Sequence, residues 1–192
     1  MTGAVVVRPG DLGLVHDRTS GGVAIGVAEF LDELMLGHWR KAERDSLYRH
    51  VFVVESVDPD GTVHAIEAWP GGARRSTYRA DAPDVLWSSG RGGLFDLSDA
   101  QRDMVVAWSV AHLGAPYSWA AYPLKALKDC PLPVPFVERA MERQVTESGH
   151  FMCSWFGAAG YEAAGVHWPK PVWDLAPSDL GDLVLSAPLL SS

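Results

Sequence analysis

Two runs of β-branched and aromatic residues flank a turn in YRHVFVVESVDPDGTVHAIEAW, residues 48–69. Val, Ile, Tyr and Phe fit a pleated, half-buried surface, so both runs predict strands. Between them lies DPDG, Asp58 to Gly61. There Pro presets φ and Gly accepts positive φ, which is turn chemistry. The stretch therefore predicts a strand and its returning partner. Strict alternation puts Tyr48, His50, Phe52 and Val54 on one face. A histidine on such a face is either a satisfied core or edge residue, or a rigidly held general base. Glu67 on the returning strand sits between Ile66 and Ala68, so its charge needs a reason. An even, four-residue turn pairs Val57 with Thr62 and Glu67 with Phe52, one step along the face from His50. A three-residue Pro-Asp-Gly loop puts Glu67 on the opposite face. The local sequence permits both.

Further strands are predicted at AVVV (Ala4–Val7), after the turn in RPGDLGLVHD, and at ARRSTYRA and DVLWSS. The first of the last two carries a basic face at Ala73–Arg75, which reads as solvated or as a greeting for an anionic substrate. Apolar residues at Val23, Val27, Phe30, Leu31, Leu34 and Trp39 recur at helical spacing. LSDAQRDMVVAWSVAHLG predicts a helix with Ser98 as N-cap, Gln101 at the third position and Gly114 as the stop. FVERAMERQVTE predicts another. From about residue 166 the chain is proline-rich and reads as an irregular tail with one short strand at DLVLS. The order gives one segregated α+β domain over residues 1–192, an antiparallel sheet packed against helices.

Bulk properties narrow the function. The formal charge of −8 argues against a nucleic-acid partner. No apolar stretch approaches the roughly 18 residues of a membrane span. MTGAVVVRPGDLG has no charged leader or cleavage site, so cytoplasmic synthesis without a signal peptide is expected. Carriage in a virion, or release from a lysed cell, remains open. Two cysteines 23 residues apart make no metal pattern. A Cys130–Cys153 bridge remains open. His16, His38, His64, His112, His150 and His167 show no ligand spacing, and no metal or cofactor is expected.

Cys153 heads GHFMCSWFGAAGYEAAG, residues 149–165. Steps of 3.6 residues from it land on Phe156 or Gly157, then Gly160, then Ala163 or Ala164, a stripe of small residues that lets a helix approach a sheet. If the helix starts near Met152, its dipole and free N–H groups favour a thiolate and a developing oxyanion. The competing reading is a compact packing cysteine. His150 is close in sequence but needs a specific bend to act as a base.

PGDLGLV, RHVFVVE, AIEAW, HLGAPYSW and FMCSWFGAAGYEAAGV together, in this order, resemble the NlpC-type papain-like cysteine peptidase superfamily. More closely, they resemble its circularly permuted, YiiX-like branch, in which the nucleophile helix follows the histidine strand. The resemblance runs from Pro9 to about Pro169. It implies a permuted papain-like fold with Cys153 as nucleophile, His50 as base and Glu67 as third polar residue. Tyr117 and Ser154 then stand beside the oxyanion and substrate. Met152 replaces the Asp that precedes the nucleophile in peptidoglycan-cutting members, and GAPYSWAAY lacks their double glycine. The acyltransferase branch carries an NCEH motif that is missing here.

The expected activity is a thiol hydrolase that cleaves a peptide or isopeptide bond through an acyl-enzyme, with a cell-wall peptide (peptidoglycan) as one substrate. A lipid or acyl-amide hydrolase or acyltransferase is the first alternative. A non-catalytic structural or virion-associated version of the fold is the second. Eight tryptophans suit an aromatic groove, though Trp39, Trp108 and Trp119 also suit a core.

Overall fold

The computed structural model describes residues 6–16, 48–119, 124, 135–146 and 149–190. Among them the architecture is α+β, with a five-stranded antiparallel sheet and four α-helices. The strands are β1 (Leu12–Val15), β2 (His50–Val57), β3 (Thr62–Glu67), β4 (Arg74–Arg79) and β5 (Val85–Trp87). Their order in the sheet is β4-β3-β2-β1-β5, so the hairpin lies inside and β4 and β5 form the edges. The helices are α1 (Asp99–Ala111), α2 (Pro135–Thr146), α3 (Cys153–Ala163) and α4 (Pro177–Ser186).

The hairpin reaches its register by a route the sequence rules did not anticipate. The turn closes as the odd version. Gly61 sits at φ 83° and its N–H bonds Asp58 O at 2.9 Å. Val57 therefore pairs with Val63, not Thr62. Taken alone, that register would send Glu67 to the wrong face. A bulge intervenes: Ser56 pairs with His64 but Val54 pairs with Ala65, leaving Glu55 as the extra residue. One inserted residue flips the alternation back. Beyond it Val53 pairs with Ile66, and one further step brings Glu67 beside Phe52.

The sheet is covered on both faces. Leu12, Leu14, Val51, Val53 and Ile66 pack against Val105 of α1, Trp155, Phe156 and Tyr161 of α3, and Leu180 and Val184 of α4. Phe52, Val54, Val63, Ala65 and Trp87 form a second, smaller cluster on the other face. There Phe52 stacks on Tyr78 with centroids 3.9 Å apart. This double cover explains why β2 is a nearly unbroken apolar run.

α3 is buried almost all round, as its small residues require. A Cβ at Gly157 would stand 3.1 Å from Leu12 Cδ2 and 3.3 Å from Val51 Cγ1, and one at Gly160 would stand 3.4 Å from the Trp108 ring. The two glycines therefore serve different neighbours, the sheet and α1. α1 carries the expected capping box: Ser98 Oγ accepts from Gln101 N–H and the Gln101 side chain accepts from Ser98 N–H.

Two expectations are corrected. Val6 and Val7 lie outside any strand. DLVLS is not a strand but the end of α4. Pro177 stands at the start of that helix, where its missing N–H costs nothing. Asp179 accepts the Ala176 N–H at 2.7 Å, and Leu180 and Val184 turn inward one turn apart. The helix expected around residues 22–39, and Cys130, lie outside the described residues.

Asp11, in the loop before β1, is fully buried. It accepts Arg102 Nη1 of α1 at 2.6 Å, Ser89 Oγ at 2.5 Å and Arg8 N–H at 2.7 Å. This knot fixes the N-terminal loop to α1.

Candidate active site

Four elements begin or end at one place. His50 is the first residue of β2, Glu67 the last of β3, Arg74 the first of β4 and Cys153 the first of α3. The cluster thus sits at the end of the sheet. There the helix packed on one face and the residues of the other face can meet.

Glu67 is 1% exposed and receives three donors. His50 Nε2 is 2.7 Å from Oε2, and the Tyr78 hydroxyl donates to the same oxygen at 2.7 Å. Arg74 Nε donates to Oε1 at 2.9 Å. Burial pushes the Glu67 pKa up, but the bonds and charge from His50, with Tyr78 and Arg74, overcome it and hold the carboxyl at about 2. The His50 ring is buried too, which disfavours its charged form. Hydrogen bonding and charge from Cys153 and Glu67 outweigh that and raise its pKa to about 9. With Nε2 on the carboxylate, Nδ1 is the nitrogen left for the sulfur. A thiol beside an imidazole whose protonated form is stabilised is the arrangement in which the imidazole can take the thiol proton.

Cys153 is a free, buried thiol, and its Sγ lies 4.0 Å from Arg49 O, the residue before His50. Met152 is the N-cap of α3 and supplies no side-chain hydrogen bond, so its side chain does not compete for the first-turn N–H groups. Instead Met152 is buried in the main core.

Tyr117 is buried and forms a parallel bridge with Phe151. The bridge is closed by Phe151 N–H to Pro116 O and Ser118 N–H to Phe151 O, both 3.1 Å. That ladder runs the PYSW segment alongside the residues leading into Cys153. Ser154 is in place in sequence, but its hydroxyl is buried and donates to Leu175 O at 2.7 Å. Its side chain is therefore committed to tethering the segment before α4, and only its backbone can serve the expected substrate role. His150 is held through its backbone N–H by Gln144 O of α2, at 2.9 Å. The imidazole that meets the carboxylate is that of His50. Of the tryptophans, Trp108 packs against Phe151 and Phe156, whereas Trp119 is 59% exposed and meets Tyr117 edge-on.

Three participants escaped the sequence reading. Arg74 is the direct cross-strand partner of Glu67, so the two share a face. Tyr78 lies on the same face of β4, two alternations on. Trp69 follows Glu67 by two residues; its ring meets His50 at 87° with centroids 5.4 Å apart. The Arg74 guanidinium stands 4.2 Å over it. The signal was the basic pair in ARRSTYRA, invisible as a partner until the β3–β4 register is known. Among the described residues no cluster of His, Cys, Asp and Glu could hold a metal, and no helix is long and apolar enough to cross a membrane.

The chain matches no protein-family model, no curated protein and no solved structure.

Proposed function

We propose that this protein is a cysteine hydrolase of the circularly permuted papain-like kind, cleaving an amide bond through a thioester on Cys153. The observation that carries this reading is the buried His50 ring, bonded to Glu67 at 2.7 Å and poised on Cys153 at the start of a helix. A core cysteine needs no such partner.

In the proposed cycle the Cys153 proton resides on His50, giving a thiolate and an imidazolium. The thiolate attacks the substrate carbonyl carbon, and the carbonyl oxygen takes the charge beside the first-turn N–H groups of α3. The C–N bond breaks as imidazolium donates its proton to the departing amine. Water then attacks the thioester, giving its proton to His50, and the acid product leaves with Cys153 regenerated. Glu67 keeps the imidazole oriented and favours its charged form.

Incubation with purified peptidoglycan and with acylated lipids, read by mass spectrometry, tests the substrate. Release of peptide fragments by the wild type and not by Cys153→Ala supports the amidase. Release of fatty acid instead would move the reading to the lipid class. Cleavage of neither, with no reactive thiol, would leave a structural role.

A further inference from the structure

We propose that Arg74 is a positioning residue of this site, acting through Glu67: it offsets part of the carboxylate charge and so limits how tightly His50 holds its proton. The inference rests on the reading of Cys153 and His50 as the reacting pair.

Arg74 opens the edge strand β4 and its side chain is 50% exposed, while the carboxylate it bonds is 1% exposed. An exposed arginine on an edge strand normally points to water. This one is fixed on two sides. Its Nε bonds Glu67 Oε1 at 2.9 Å and its guanidinium lies on Trp69, 4.2 Å from the ring centroid. The same Trp69 ring abuts His50. Glu67 is thus shared between two cations, each touching one indole. The groups that bear on His50 come from three elements: Cys153 from α3, Glu67 from β3, and Arg74 and Tyr78 from β4 through Glu67. On the β1 side His16 faces Tyr48.

Charge arithmetic gives the sense of the effect. A lone buried carboxylate bonded to an imidazole, with a thiolate on the other side, stabilises the imidazolium strongly. A general acid held too far above the operating pH surrenders its proton slowly. A second cation on the same carboxylate repels the imidazolium and draws its midpoint back toward neutrality. Tyr78 bonds the same carboxylate, but its hydroxyl brings no charge to repel the imidazolium. Arg75, the next residue, is a natural control. It pairs with Glu55 at 2.8 and 2.7 Å, and its side chain makes no hydrogen bond or ion pair to Glu67.

The test is a pH titration of the His50 ring by ¹H–¹⁵N NMR, its signals assigned by their loss in His50→Gln. Wild type, Arg74→Met, Arg74→Lys and Arg75→Met are compared. Arg74→Met is expected to raise the His50 midpoint by about half to one pH unit. Arg74→Lys, which keeps the charge, should stay near wild type, and Arg75→Met should leave the midpoint in place. An unchanged or lowered midpoint in Arg74→Met would overturn the proposal, as would an equal rise in Arg75→Met. The titration needs no turnover. A protein that hydrolyses nothing still answers it, so failure of the proposed activity is separable from failure of this inference.

Discussion

Asp11 and Glu67 are both buried carboxylates, and each accepts three hydrogen bonds, one of them from an arginine side chain. Their partners differ in kind. Asp11 is met by Arg102, a serine and a backbone N–H. Arg102 is itself nearly buried, and its Nε has no hydrogen-bond partner among the described residues. Glu67 is met by an imidazole that also faces a thiol. A buried charge by itself therefore says little about function. What distinguishes the two sites is whether one of the donors can release its proton to something else.

Loss of either member of the proposed reacting pair should produce the largest effect. In Cys153→Ala and His50→Ala, hydrolysis of a cleaved substrate should fall by roughly four orders of magnitude or more. Both proteins should stay folded by circular dichroism. Residual turnover near the wild-type rate would break the distinction at its functional end. Next comes Asp11→Ala, expected to cost about 3–5 kcal/mol in urea unfolding because it strands Arg102. Specific activity of the folded fraction should not change. A loss of turnover with intact folding would show that the Asp11 knot serves the chemistry as well. Glu67→Gln should do the reverse, lowering kcat by about ten- to a hundredfold, as loss of an orienting outer-shell partner does, with a smaller stability loss of about 1–3 kcal/mol.

A pH series sharpens the same contrast. The His50 pKa is raised from 6.5 to about 9, so its contribution to stability is complete below pH 6.5 and is lost as pH rises through about 9. The Glu67 pKa is depressed from 4.5 to about 2, so its contribution is complete above pH 4.5 and is lost as pH falls toward about 2. Urea midpoints should peak between those limits and decline on both sides. In Glu67→Gln the alkaline decline should still begin near pH 6.5 but end at lower pH and be smaller, and an identical profile would count against the coupling. The smallest effect is expected for Tyr78→Phe, about 1 kcal/mol for one lost hydrogen bond.

Local rules made much of this legible. The capping box of α1 and the start of α3 at Cys153 each depend on a few adjacent residues. Glu67 reached the expected neighbourhood by compensation. The odd Pro-Asp-Gly loop moved it off the His50 face, and the extra residue Glu55 moved it back. No turn rule reveals a bulge three residues away, because bulges answer to the third strand as well. α4 was hidden because proline read as a breaker when Pro177 was an initiator. Arg74, Tyr78 and Trp69 join the cluster through β3–β4 pairing and the chain reversal after Glu67, which are tertiary facts.

The central claim is that Cys153 is held reactive by His50, and alkylation tests it most directly. Folded protein is treated briefly with a small excess of iodoacetamide at neutral pH and mapped by peptide mass spectrometry. One label per chain at Cys153 is expected, slowed at least tenfold in His50→Ala. A Cys153 that stays unlabelled in folded wild type, or labels equally fast without His50, would contradict it.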